Sequence, residues 1–326
     1  MAALAPGDLL DEAGVASGWR PRSIAKTATG YGLWLAWNLA RGVDISAAPE
    51  ALVTREAVAT WLAEIAAQRS SYTLACRAQE LFDAVRVMVP NHDWAWLARI
   101  SIRARRKARP IRNKIERLRS AAEIEHLGYA LMREAHDPTF RGTVLQQARQ
   151  FRDGLILTLL ITRLCRLKNI TQIEIGRHLV PRGKTFMLAF GADEMKGRRV
   201  SQVALPDHLV PWLRLYLDGY RPVLLRDQGV DHGRLWVAET GAPLAEVSLH
   251  NAVRRRTTAA FGKPIPPHWF RDAAVTTVVI HNPRHAKDSR ELLDHDSIQT
   301  SDKHYNHGQA IDGARKYHDV LQAMRR

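Results

Sequence analysis

Apolar residues recur at helical spacing along most of the chain. The stretch TATGYGLWLAWNLARG places Tyr31, Leu33, Leu35, Ala36 and Leu39 near one helix face, and Gly42 stops it. Thr54 is a suitable N-cap for REAVATWLAEIAAQR, whose stripe is Ala57, Trp61, Leu62 and Ile65. A third helix is predicted over SYTLACRAQELFDAVRVMV, halted by Pro90-Asn91, and a shorter fourth over DWAWLARISIRAR. Four helices with short links predict a compact bundle over 23–105, preceded by an arm at 1–22. Tryptophans that fall in these stripes are expected in the bundle core rather than on its surface.

The pattern changes after residue 119. Ser120 caps the predicted helix AAEIEHLGYALMREA, and Thr143–Thr162 forms a second helix that ends in the apolar run LILTLLIT. Three extended segments follow, Arg177–Pro181, Thr185–Gly191 and Arg199–Leu205, separated by the turn-like runs PRGK and DEMKGR. Asp207 is expected to cap a helix running to Leu225, LWVAETGAPL to be a short extended piece, and SLHNAVRRRTTAAFG and the remainder to be helical. The expected class is therefore mainly α (α+β), with a second domain over 120–326 that holds a small antiparallel three-stranded sheet.

Composition narrows the function. Hydrophobic residues make up 46% of the 326 positions and charged residues 25%, so the chain can bury an ordinary core. The net charge of +15 favours a polyanionic partner, most simply nucleic acid; a basic surface without a ligand, or one meeting anionic membrane, is the alternative. No apolar run has the length of a bilayer span, and the N-terminus MAALAPGDLLDEAG is acidic where a secretion signal is basic, so an intracellular protein is expected. Cys76 and Cys165 are far apart and lack a C-x-x-C context, which argues against a disulfide scaffold and a Cys-based zinc site and favours two small buried apolar residues.

The charge is concentrated. Residues 103–119, RARRKARPIRNKIERLR, hold nine Lys or Arg and one Glu. A charge run is commonly a solvated face. With the global charge added, the better reading is a basic linker over 106–119 that contacts phosphates. Arg105, Arg106, Lys107, Arg109, Arg112 and Lys114 are its candidate DNA-binding residues, and Arg254 and Arg255 add two more from the 248–261 helix.

The densest chemistry lies between His268 and Tyr305. His268-x-x-Arg271 places an imidazole and a guanidinium on one helix face. An apolar run follows, then Leu293-Asp294-His295 and Thr300-Ser-Asp-Lys-His-Tyr-Asn306. H-x-x-R, then L-x-H, then Y resembles the C-terminal half of the tyrosine recombinases of the phage-integrase type. That resemblance requires an arginine at a helix start about a hundred residues upstream and a lysine on a β-hairpin between. Arg166, in Leu164-Cys-Arg-Leu-Lys-Asn169, and Lys196, in Asp193-Glu-Met-Lys, meet those requirements. Arg163 is a rival for the first, and Lys184, Arg198 and Arg199 lie near the second. Two positions depart from the family pattern. Asn169 stands where an acid is usual, and Asp294 stands where a glycine is usual.

The resemblance implies a SAM-like core-binding domain, a catalytic domain of the DNA breaking-rejoining fold and a tetramer assembled on double-stranded DNA. It implies attack by Tyr305 on a phosphodiester, with Arg166 and Arg271 gripping the phosphate, His268 as base, Lys196 as acid and His295 as hydrogen-bond donor. Neither metal nor cofactor is expected, since the phosphotyrosine ester retains the energy of the broken bond. A nucleoid-associated protein of the bacterial cytoplasm would fit. Tyr317 competes with Tyr305 as the nucleophile. Three other functions stay open: a DNA-binding protein on the same scaffold that does not cut, a type IB topoisomerase-like enzyme, and a metal phosphohydrolase using His281, His285, Asp294, His295, Asp296 and His307.

Overall fold

A computed structural model describes residues 14–109, 119–195, 200–226 and 231–281. The chain divides into two compact units, Met1–Asn113 and Lys114–Arg326.

The first unit is helical throughout its described elements: α1 (Pro21–Leu39), α2 (Pro49–Leu52), α3 (Arg55–Gln68), α4 (Ser71–Met88) and α5 (Ala95–Lys107). Pro21 opens α1 at a position whose N–H has no helical acceptor, so nothing is lost by its absence. Thr54 and Ser70 cap α3 and α4 by accepting from Ala57 N at 3.2 Å and Thr73 N at 3.0 Å. The predicted amphipathic helices are present, and the single turn α2 is an addition too short to show a period. Their apolar faces meet around Trp34, which stacks on Trp37 at 5.3 Å and meets Trp61 edge-on at 5.2 Å. Trp94 and Trp96 are also buried, so these rings do serve the core.

The second unit is organised on α7 (Val144–Arg163), which α6 (Ala121–His136) precedes. Both open with a capping box, Ser120 with Glu123 and Thr143 with Gln146. Every residue of α7 from 151 to 161 is buried, the signature of a helix enclosed on all sides. At the crossing with α6 the two helices touch through glycines. A Cβ at Gly154 would lie 2.6 Å from the Gly128 carbonyl oxygen, and one at Gly128 would lie 2.2 Å from Thr158 Oγ1.

After α8 (Leu167–Thr171) come β1 (Leu179–Arg182), β2 (Thr185–Phe190) and β3 (Ser201–Ala204), an antiparallel sheet in the order β1-β2-β3. This is the expected sheet. β2 alternates as a half-buried strand must, with Phe186, Leu188 and Phe190 inward. β1 starts at Leu179 rather than Arg177, because His178 turns inward and its side chain serves the neighbouring loops.

The single helix expected from Asp207 to Leu225 is broken into a 3₁₀ turn (Asp207–Leu209), α9 (Val210–Leu215), a π turn (Tyr216–Tyr220) and α10 (Arg221–Leu225). Pro211 and Pro222, which lack an N–H, sit in the first turns of α9 and α10 and interrupt the ladder. Asp207 does not cap: Pro206 holds the cap position and makes no side-chain bond there. The segment 235–244 is extended only through a bridge between Val237 and Pro243. α11 (Glu246–Phe261) ends on Gly262 at φ 71°, and α12 (His268–His281) closes the described chain. Among the described residues no helix is long and apolar enough to cross a membrane.

Candidate active site

α12 brings His268 and Arg271 to the link between α7 and α8. Phe270, Ala273 and Ala274 are buried and set the helix on the core. His268 is exposed at the helix start, its ring edge-on to Trp269 at 6.1 Å, and Arg271 is half-buried one turn on. Arg271 Nη1 donates to the carbonyl of Leu164 at 2.9 Å, across 107 positions of sequence. Leu164 ends α7 in the left-handed region (φ 49°, ψ 29°) with its side chain buried. Non-glycine residues pay about 1 kcal/mol or more for that conformation. Two residues later Arg166, half-buried, holds the N-cap position of α8. Arg271 therefore meets the turn that leads into Arg166, with His268 one helical turn before it on α12.

Cys165 lies inside this convergence, a residue that the sequence reading treated only as core filler. It is half-buried as a residue, and so is Cys76. Burial pushes the Cys165 thiol up to about 11, while the charges of Arg271 and Arg163 pull the other way. Arg163, the rival arginine, turns back to the carbonyl of Thr162 at 3.1 Å. Its burial lowers its pKa from the ordinary value, with the Cys165 charge opposing.

Asn169 is buried and faces the β2–β3 connection. Its Nδ2 lies 3.4 Å from the Glu194 carbonyl and 3.3 Å from Met195 Sδ. The residue that stands in the place of the family's acid thus reaches the segment that leads into Lys196. Lys196, His295 and Tyr305 lie outside the described residues, as do Arg198, Arg199, Tyr317 and, in the metal-site alternative, His285, Asp294, Asp296 and His307. Lys184 is exposed in the β1–β2 turn.

The candidate DNA-binding residues separate into distinct environments. Arg105, Arg106 and Lys107 are exposed in the last turn of α5, where cations complement the helix dipole. Arg109 is also exposed, and its backbone is fixed by Ser71, whose Oγ accepts from Arg109 N at 3.0 Å. Arg112 and Lys114 lie outside the described residues. Arg254 is exposed on α11, but Arg255 pairs with Asp153 at 3.1 Å. Asp153 is buried in α7 and also takes Arg152 at 2.7 Å and Arg256 at 3.0 Å. Arg152 in turn donates to the Val237 carbonyl at 2.7 Å. Sequence reasoning missed this cluster. The available signal was an Arg-Asp pair standing directly before the apolar run of α7.

This arrangement has counterparts among known proteins. The chain is 29% identical over 114 residues to tyrosine recombinase XerD of Chlorobaculum tepidum, 35% of each chain. It is 26% identical over 158 residues to tyrosine recombinase XerD of Staphylococcus saprophyticus, 48% of this chain and 50% of that one. The matches span between a third and a half of these relatives. XerH site-specific recombinase, solved bound to its difH substrate before cleavage, superposes with a TM-score of 0.53 at 17% identity, over 78% of this chain and 67% of XerH. Its post-cleavage complex with palindromic difH superposes at 0.56 and 16% identity, over 87% and 75%. In sequence this chain is similar to tyrosine recombinases over part of its length, and in fold it is similar to XerH. No family model matches it. The recombinase fold accounts for the expected architecture: a helical first unit, and a mainly helical second unit carrying the small antiparallel sheet.

Proposed function

We propose that the chain is a site-specific DNA recombinase that cuts and rejoins double-stranded DNA through a 3′-phosphotyrosine at Tyr305, working as a tetramer on its sites. The observation that carries this reading is the bond from Arg271 to the Leu164 carbonyl, which ties the helix of His268 and Arg271 to the turn that leads into Arg166. Kinship with XerD and the fold shared with XerH support it. Such a protein would act in the bacterial cytoplasm, on the nucleoid.

The chemistry is a transfer between two esters. The bond from Tyr305 Oη to phosphorus forms as the bond from phosphorus to O5′ breaks. The electron pair goes to O5′, and Lys196 Nζ supplies its proton. His268 takes the tyrosine proton, which at neutral pH otherwise costs roughly 4 kcal/mol to remove. Arg166 and Arg271 hold the two non-bridging oxygens through planar forks, the main resource for phosphoryl transfer. His295 adds one hydrogen bond. The exchange of one ester for another conserves bond energy, so the reverse attack by a 5′-hydroxyl needs no ATP. The exposed cations of α5, Arg109 and Arg254 would meet phosphates.

The test is a nicked suicide substrate carrying the protein's own recombination site, scored for an SDS-resistant protein–DNA adduct. Wild type should form the adduct and Tyr305→Phe should not, while Tyr317→Phe retains it. Loss only in Tyr317→Phe would move the nucleophile but keep the class. A wild type that binds this DNA and forms no adduct would be a non-cutting DNA-binding protein on the same scaffold.

A further inference from the structure

α7 ends on a residue in an unfavourable conformation. Among the described residues, only Leu164 and Arg226 are non-glycine residues at positive φ. Leu164 N still donates to the Leu160 carbonyl at 3.0 Å, and the left-handed twist then turns its own carbonyl out of the helix ladder. That carbonyl accepts from Arg271 Nη1 at 2.9 Å. The same twist leads through Cys165 to Arg166, which is extended and whose carbonyl accepts from Ile170 N at 3.0 Å to open α8. α8 is pinned in turn by Trp236, whose Nε1 donates to the Ile170 carbonyl at 2.7 Å. On the other side, buried Phe270 anchors α12 next to Arg271. A left-handed backbone at a non-glycine residue persists only where its surroundings fix it. Here the Leu164 side chain does so, buried in the core of the second unit.

We propose that Leu164 is a positioning residue for Arg271: its left-handed backbone, held by the buried side chain, aims the carbonyl that sets the plane of the guanidinium. This inference rests on the recombinase reading above, in which Arg271 holds a non-bridging oxygen of the scissile phosphate. A guanidinium presents its donors in one rigid plane, so a bond at Nη1 narrows the directions open to the others. A carbonyl also suits the task better than a carboxylate. It orients the cation without cancelling the charge that a phosphate requires. A misplacement of about 1 Å in a reacting group costs on the order of 100-fold in rate, which is why a rigid backbone acceptor matters at this place.

The experiment compares single-turnover cleavage of two suicide substrates, one with an ordinary scissile phosphate and one with a methylphosphonate in its place. The methylphosphonate diester carries no negative charge, so attack on it asks less of a cation at the non-bridging position. Leu164→Ala, Leu164→Gly, Leu164→Met and the control Arg271→Ala would be measured beside wild type, with DNA affinity recorded for each. On phosphate, Leu164→Ala should be slower on the order of 100-fold at unchanged DNA affinity. On methylphosphonate the gap to wild type should close to within about threefold, as for Arg271→Ala. Leu164→Met keeps an apolar side chain of similar volume and should recover most of the rate. Leu164→Gly takes the left-handed conformation without penalty, so it should be faster than Leu164→Ala. Its remaining deficit should close on methylphosphonate in the same way, which keeps the test intact if Leu164→Ala does not fold. A side chain that served packing alone would reverse the order of the two, because Leu164→Gly deletes more of it. That reversal, equal defects on both substrates, or no defect on phosphate would overturn the role of Leu164 and leave the recombinase reading standing. No adduct from wild type on the phosphate substrate would remove the recombinase reading and this role with it.

Discussion

The two units bury different things. The first closes around Trp34, Trp61, Trp94 and Trp96, with aliphatic side chains such as Leu81 and Leu97 between them. Its one buried acid among the described residues, Glu80, meets Arg77 and, at 3.5 Å, the exposed Lys26. The second buries Arg152, Asp153 and Arg221 beside a core that mixes aliphatic side chains with rings such as Phe151, Tyr216 and Trp236. Ring packing depends on area and fit, and responds little to salt or pH. Buried ion pairs depend on each partner staying charged and in place, and removal of one strands the other. In the second unit the network also has a spatial task. Asp153 joins α7 to Arg255 and Arg256 of α11, which fixes the helix that displays Arg254.

The contrast is sharpened most by removing its central acid. Asp153→Ala leaves three guanidinium groups around an empty site, and the second unit should lose about 3–5 kcal/mol in urea unfolding. Trp34→Ala, by comparison, should cost the first unit about 3 kcal/mol through a cavity, with no added sensitivity to salt. The contrast breaks if each variant shifts both units equally, or if added salt changes the Trp34→Ala deficit as much as the Asp153→Ala one.

A smaller effect is expected where the second unit depends on fit rather than charge. Gly154→Ala sets a methyl 2.6 Å from the Gly128 carbonyl and 2.9 Å from Met132 Cγ, so α6 and α7 must separate. The cost should be about 2 kcal/mol by calorimetry. An unchanged melting temperature would show that the helix crossing can yield.

The smallest effect is acid-dependent. Hydrogen bonds from buried Arg221 hold the Asp231 carboxyl at about 2, below the ordinary 3.8. A depressed carboxyl stabilises the fold above its unfolded value and loses that contribution as pH falls through the folded value. The stability gap between wild type and Asp231→Asn should therefore be full above pH 4 and shrink toward pH 2. Asp231 is half exposed and solvent screens the pair, so the gap is modest even at neutral pH. A gap that is constant across this range would assign Asp231 a role independent of its charge.

What the sequence displayed was local. Thr54, Ser120 and Thr143 mark helix starts because a cap acts within three residues. The alternation in β2 and the apolar run of α7 likewise need only neighbouring positions to be read. Pro211 and Pro222 were as visible as the caps, and they broke a helix drawn through them. What stayed hidden joins distant positions. Gly128 and Gly154 belong to no period, and their contact exists only once two helices cross. Asp153 meets Arg255 and Arg256 across 102 and 103 positions, so the Arg-Asp pair before the apolar run gave no hint of its partners. At the candidate site, Arg166, His268 and Arg271 could be picked out by order and spacing. The bond from Arg271 to the Leu164 carbonyl could not, and Asn169 read as a missing acid until its amide was seen beside Glu194.

Cys165 turns the site into its own reporter. Only the thiolate reacts with an alkylating reagent, and a thiol held at about 11 leaves about one molecule in ten thousand ionised at neutral pH. Arg271 and Arg163 favour its ionisation, so burial is what holds the thiol up. When the α7–α8 link and the start of α12 part, water reaches the sulfur and the same arginines favour its ionisation. The labelling rate of Cys165, read apart from that of Cys76, therefore reports openings of the link one residue away from Arg166 on native protein.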